Sequence, residues 1–150
     1  FETVWSHGDW AMETKNGGVV IYGRSDATLN RFGVRIGTAE IYAALAQFTG
    51  VEDALVVHVQ DEKTDKLMLF VQSNSPLEFE DIKAYIRNTC SPRHVPDYMY
   101  VVPEIPYTIS GKKVEIPVKR LLQGEKLEDV VSLDALRNPN AMQWFLKQFG

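Results

Sequence analysis

The stretch 51–72, VEDALVVHVQDEKTDKLMLFVQ, decides the fold. Its first half, Val51 to Val59, is rich in β-branched residues and reads as a strand. Within it, Leu55-Val56-Val57-His58-Val59 is a core stretch rather than a cofactor box. A charged connection, Asp61 to Asp65, leads to a second strand from Leu67 to Gln72.

On the N-terminal side a helix is expected, with Thr38 as its N-cap and Ile41, Leu45 and Phe48 on one face. Before it lies a polar, glycine-punctuated segment, Gly23 to Gly37, with too few periodic apolar positions for a core helix. Earlier still, Asp9 to Met12 and Val19 to Tyr22 flank Asn16-Gly17-Gly18 and predict a hairpin, because Asn and Gly tolerate positive φ. On the C-terminal side, Ser75-Pro76 opens a second helix whose buried stripe is Phe79, Ile82, Tyr85 and Ile86. Pro92 and Pro96 end it, and Tyr98 to Val102 is a third strand. A loop follows from Pro103 to Gly111. Lys113 to Leu122 is partly helical, limited by Pro117. Asn138 is a cap candidate and Pro139 suits the first turn of a last helix bearing Met142, Phe145, Leu146 and Phe149. The expected class is α+β: a small antiparallel or mixed sheet of about three strands flanked by helices and preceded by a two-stranded hairpin.

The chain has 150 residues, the size of one domain, with 45% hydrophobic and 24% charged residues. That composition belongs to a globular protein with a real core. A net charge of -4 gives no cationic field for nucleic acid. Cys90 is the one cysteine, so no internal disulfide forms, and a reducing, cytosolic location is expected. No apolar run approaches a membrane span. Because the first residues are already apolar and strand-like, the chain reads as part of something longer.

Two segments are polar and conformationally special. Gly23 to Gly37 places Arg24, Arg31 and Arg35 along one loop with Asp26 among them. Guanidinium groups bind phosphate with paired donors, and glycines let the backbone approach a ligand. Pro106-Tyr107-Thr108-Ile109-Ser110-Gly111-Lys112-Lys113 puts a lysine at the tip of a Ser-Gly turn, from which an ammonium can reach into a partner's cleft. By residue type alone, a solvated turn and a plain surface lysine explain these segments as well. His58, His94 and Cys90 lack metal-ligand spacing, so no metal site is expected.

Taken together, the segments resemble the C-terminal domain of the adenylate-forming superfamily, which includes acyl-CoA synthetases, luciferases and adenylation domains of peptide synthetases. The superfamily's Gly-Asp is matched by Gly8-Asp9, its Gly-Arg-x-Asp hinge by Gly23 to Asp26, its Gly-x-Arg-Ile-Gly by Gly33 to Gly37, and its Ser-Gly-Lys turn by Ser110 to Lys112. The resemblance runs from His7 to about Leu122. Over Trp5 to Asp9, Gly23 to Asn30, Ile105 to Lys119 and the tail Leu136-Arg137-Asn138-Pro139, it narrows to the branch that activates acetoacetate.

This resemblance implies an acid–CoA ligase with two half-reactions, ATP and CoA as co-substrates, and Mg2+ accompanying ATP mainly through a large N-terminal domain outside this chain. It implies residues 1–22 as the end of that large domain plus a linker hairpin, and 23–150 as a C-terminal domain that rotates between half-reactions. It implies Lys112 as the catalytic lysine bridging carboxylate and α-phosphate, with Lys113 a solvated neighbour. Asp9 holds the ribose hydroxyls, Arg24 lies beside the nucleotide, Arg35 reaches the ATP phosphates and Asp26 is the hinge. Gly33 passes close to the pantetheine, and Arg87 meets a CoA phosphate or is simply a solvated helix charge. The isolated chain is expected to be inactive. A ligase for another short-chain acid, or a stand-alone binding module reusing the fold, are the other readings. The sequence departs from the superfamily at His7, where threonine is frequent, and at Ala27, where a second acidic residue is frequent. Glu115 and Pro117 stand where basic helical residues are frequent, which puts a helix after Lys112 in question.

Overall fold

The computed structural model describes residues 9–24, 28–31, 33–61 and 63–150. At its centre is a three-stranded sheet. The hairpin that precedes it pairs β1 (Asp9–Glu13) with β2 (Val19–Arg24). Gly17 turns it with φ 77°. A second hairpin, β3 (Thr28–Arg31) with β4 (Val34–Gly37), occupies the segment expected to be irregular. Its strands are short, and burial of Leu29 and Ile36 against the core supplies the stabilisation that their local pattern does not announce.

The helix α1 (Thr38–Leu45) begins one residue earlier than expected. Gly37 is its cap and Thr38 is its first helical residue, buried without a capping bond. The strands β5 (Asp53–Gln60) and β6 (Asp65–Gln72) pair antiparallel over their whole length. The helix α2 (Phe79–Thr89) starts three residues after Pro76, and β7 (Tyr98–Val102) then pairs parallel with β6. The sheet order is β5-β6-β7, the small mixed sheet expected. Beyond it come α3 (Glu115–Leu122), the single turn α4 (Leu127–Val130) and α5 (Pro139–Phe149).

Pro117 does not limit α3. It is the third helical residue, where the backbone N–H has no intrahelical acceptor in any case. Asn138 precedes α5 with no capping bond from its side chain, which serves another purpose described below.

Strands β5 and β6 read as continuous apolar runs because both faces of the sheet are covered. Ala54, Val56, Leu67, Leu69 and Val71 face a core shared with Leu29, Ile36, Ile41, Leu45, Ile82 and Ile86. Leu55, Val57, Met68 and Phe70 face a second core with Ile105, Val114, Val118, Leu121, Met142 and Phe145. The fold is therefore layered: α1, α2 and the β3–β4 hairpin on one side, α3 and α5 on the other. In the second core Phe70 meets Phe145 edge-on at 4.8 Å and stacks on Tyr100 at 5.5 Å.

Candidate functional site

The loop before α3 folds back on itself. Tyr107 and Lys113 form an antiparallel bridge. Inside it, Thr108 N–H donates to the Lys112 carbonyl at 2.8 Å and Gly111 N–H to the Thr108 carbonyl at 2.9 Å. Gly111 sits at φ 81°, a conformation a side chain would strain. The Lys112 N–H donates to Thr108 Oγ1 at 3.0 Å, and that hydroxyl also meets Ser110 Oγ at 2.9 Å. The backbone of this small hairpin is thus held closely, while the Lys112 side chain is exposed at its tip. Ile109 beside it is 68% exposed, uncommon for so apolar a residue.

The two adjacent lysines have opposite fates. Lys113 is not the solvated neighbour expected from sequence. Its Nζ donates to Asp53 Oδ1 and to the Ala54 carbonyl. It also lies 4.5 Å from the centre of the Tyr42 ring and 5.7 Å from that of Tyr107. The reason is the free edge of β5. Among the described residues β5 pairs with β6 alone, so Ala54 C=O and Val56 N–H point away from the sheet and need other partners. Lys113 satisfies the carbonyl, and Tyr42 Oη accepts from Val56 N–H at 3.0 Å. Tyr42 in turn donates to Glu115, and Tyr107 Oη donates to Asp53 Oδ2 at 2.6 Å. Burial, followed by the neighbouring Glu115 carboxylate, pushes the Tyr42 hydroxyl well above the ordinary tyrosine range. Burial and then the hydrogen bond to Asp53 push Tyr107 upward as well. Asp53 and Tyr42 are residues that sequence reasoning missed as parts of this site, and Tyr107 and Glu115 lay in the quoted motif stretch without these partners being read. An acidic residue opening an edge strand is their one hint, and it names no partner.

A third strand-like segment backs the loop. Ile109 N–H donates to the Ala135 carbonyl at 3.0 Å and Arg137 N–H to the Tyr107 carbonyl at 2.9 Å. The Arg137 guanidinium lies over the Tyr107 ring at 4.6 Å. Asn138 uses both ends of its amide: Oδ1 accepts from Tyr107 N–H at 2.8 Å, and Nδ2 donates to the Ile105 carbonyl at 2.8 Å.

The glycine-rich segment is sorted differently from its reading as a loop of three phosphate-binding arginines. Arg31 is 4% exposed and serves the interior. Its Nη2 donates to both carboxylate oxygens of Asp97 at 2.6 Å, and its Nη1 donates to the carbonyls of Val95 and Arg93. Arg35, on β4, is exposed, and Gly33 lies in the turn with φ 76°. The backbone pairs Asp9 with Arg24 across the open end of the first hairpin. Asp26, and the His7-Gly8 part of the first motif, lie outside the described residues. Arg87 stands exposed in the last turn of α2.

These positions fall into two groups. Gly33, Arg35 and Arg87 belong to elements on the first core, whereas the Lys112 loop is flanked by Ile105 and Val114 of the second. His58 is buried and its Nε2 meets Asp65 at 2.8 Å. His94 is buried against Ser91 and Glu40. Among the described residues, no three His, Cys, Asp or Glu side chains converge as a metal site, and no helix is long and apolar enough to cross a membrane. An apolar groove between Leu127, Val131, Leu146 and Phe149 holds none of the sequence-predicted site residues.

Comparison with known proteins gives the arrangement its context. Residues 40–112 match the AMP-binding enzyme C-terminal domain. Acetoacetyl-coenzyme A synthetase of Rhizobium meliloti (strain 1021) is 44% identical over 97% of this chain, and acetoacetyl-CoA synthetase of Caenorhabditis elegans is 41% identical over 97%. The chain spans 23% and 22% of those relatives' lengths. The structure of acetoacetyl-CoA synthetase from Streptomyces lividans superposes with a TM-score of 0.85 at 40% identity, over 96% of this chain and 22% of that one. The matched segment begins in α1, takes in the whole sheet and ends at Lys112; over these residues the chain belongs to the family of AMP-binding enzyme C-terminal domains, and nearly all of it is similar to about a fifth of acetoacetyl-CoA synthetase.

Proposed function

We propose that this chain is the C-terminal domain of an ATP-dependent acetoacetate–CoA ligase and that Lys112 is its catalytic lysine. One observation carries the reading: of two adjacent lysines, Lys113 is anchored to the edge strand through Asp53 and the Ala54 carbonyl, while Lys112 stands exposed at the tip of a fixed turn. The fixed backbone removes loop ordering from the cost of entering a partner's cleft and leaves only the rotamers of the Lys112 side chain to be ordered.

In the first half-reaction an acetoacetate carboxylate oxygen attacks the α-phosphorus of ATP. The bond to the bridging oxygen breaks, and pyrophosphate leaves with that electron pair. Lys112 donates to the carboxylate and to the α-phosphate, drawing two anions together and offsetting charge as transfer proceeds. In the second half-reaction the CoA sulfur attacks the acyl carbonyl carbon, the thiol proton is lost, and AMP departs. Residues 1–22 form the end of the large domain and the linker hairpin, and 23–150 the domain that rotates about Asp26. Asp9 holds the ribose hydroxyls, Arg24 lies beside the nucleotide and Arg35 reaches the phosphates. Gly33 and Arg87 serve CoA. Lys112 lies apart from Gly33 and Arg87, as a domain that turns a different face to each half-reaction requires, while Arg35 shares the first core with Gly33 and would serve the phosphates from there. Mg2+ would accompany ATP, held mainly by the large domain.

The test uses the full-length ligase with Lys112→Ala. Acetoacetate-dependent pyrophosphate exchange falls by at least about a hundredfold, while acetoacetyl-CoA forms from supplied acetoacetyl-adenylate at close to the parent rate. Surviving exchange refutes the assignment. Assays with acetate and butyrate beside acetoacetate test the choice of acid.

A further inference from the structure

The loop that carries Lys112 is closed from behind by residues outside the matched domain, which ends at residue 112. The contact is bonded rather than merely packed. Thr108 forms an antiparallel bridge with Leu136, and backbone bonds on either side join Ile109 to Ala135 and Arg137 to Tyr107. Asn138 then clasps the base of the loop, its carbonyl oxygen on Tyr107 N–H and its amide nitrogen on the Ile105 carbonyl. Those two loop groups straddle Pro106, which has no N–H of its own to offer. One side chain therefore sets the spacing between the two peptide groups from which the Lys112 hairpin springs.

We infer that Asn138 is a positioning residue for Lys112: its amide fixes the base of the Pro106–Lys113 turn, and through it the place of the Lys112 ammonium during adenylate formation. This rests on the reading of Lys112 given above. Asn138 touches neither substrate nor reacting atoms, so its effect is confined to the half-reaction that uses Lys112. The geometry asks for an amide and no other group. A carboxylate of the same shape keeps the acceptor for Tyr107 N–H but turns a lone pair toward the Ile105 carbonyl. An alanine removes both bonds.

The experiment measures both half-reactions in the full-length ligase for Asn138→Ala, Asn138→Asp and Lys112→Ala. With Asn138→Ala, kcat for pyrophosphate exchange falls about ten- to a hundredfold, the size of effect that misplacement by about 1 Å produces. Its KM for ATP stays within about threefold, and thioester formation from supplied adenylate stays within about twofold, as a group acting through position alone requires. With Asn138→Asp, the exchange defect shrinks as pH is lowered toward the carboxylate range, because the protonated acid recovers the donor that the Ile105 carbonyl needs. The parent enzyme measured in parallel shows no such recovery. Equal loss in both half-reactions, no loss in exchange, or a pH-independent defect in Asn138→Asp overturns the inference. If Lys112→Ala itself retains exchange, the underlying reading of Lys112 fails instead, so the two failures are distinct.

Discussion

Replacing Asp53 by asparagine is the sharpest test of how the Lys112 turn is held. The Asp53 carboxylate receives three donors: Lys113 Nζ and Ala54 N–H on Oδ1, and Tyr107 Oη on Oδ2. The substitution preserves size but removes the charge and sets an NH2 group against at least one of these donors. A hydrogen bond to a charged group contributes about 1.5–3 kcal/mol. Because the Asp53 and Lys113 side chains retain 24% and 23% of their exposure, the lower part of that range applies, about 2 kcal/mol. For a chain of this length the loss corresponds to a Tm lower by about 4–8 °C. Urea unfolding of D53N, K113M and the double variant then gives a cycle. Since the two residues share one bond, the double variant loses less than the sum of the singles by about 1–2 kcal/mol. Additivity within about 0.3 kcal/mol would refute the claim that Lys113 is anchored by Asp53 and, with it, the contrast between the two lysines.

Other perturbations probe the rest of the structure. Arg31→Met removes the guanidinium donor from the Val95 and Arg93 carbonyls and from Asp97, which keeps the Leu67 N–H, and unfolding free energy in urea falls by about 2 kcal/mol; a loss below about 0.5 kcal/mol would return Arg31 to the surface. Phe145→Ala empties the contact with Phe70 and costs about 3–5 kcal/mol by the same assay, detaching α5 from the sheet. Tyr42 and Tyr107 are both held protonated above their ordinary value of 10.0 in the folded state. The unfolded chain releases these protons first, so stability is fully present below about pH 10 and declines above it. Tyr42→Phe removes one such group and makes the alkaline decline shallower by up to about 1.4 kcal/mol per pH unit; an unchanged slope contradicts the burial assigned to Tyr42.

Much of this was legible along the chain. The strands expected at Val51–Val59, Leu67–Gln72 and Tyr98–Val102 are each a strand in the structure, the first beginning at Asp53 rather than Val51. The Ser110-Gly111-Lys112 turn was legible because its geometry is local: Gly111 at positive φ and the Thr108 hydroxyl on Lys112 N–H lie within five residues. The β3–β4 hairpin was not. Its strands hold four residues each, and Leu29 and Ile36 stabilise it only by reaching a distant core.

Neighbours in the chain encode the β5–β6–β7 strands, the flanking helices, the family motifs and a lysine pair at the end of a turn. Tertiary structure alone decided what each charged side chain does. Lys113 is anchored because Asp53, 60 residues away, opens the free edge strand beside it. Arg31 is a buried strut because Asp97, 66 residues away, closes on its guanidinium. Asn138 leaves its cap because Ile105 and Tyr107, more than thirty residues earlier, offer it two unpaired peptide groups. A long side chain's fate depends on which partners the folded chain brings within its reach, and chain spacing carries no record of a contact that folding alone creates.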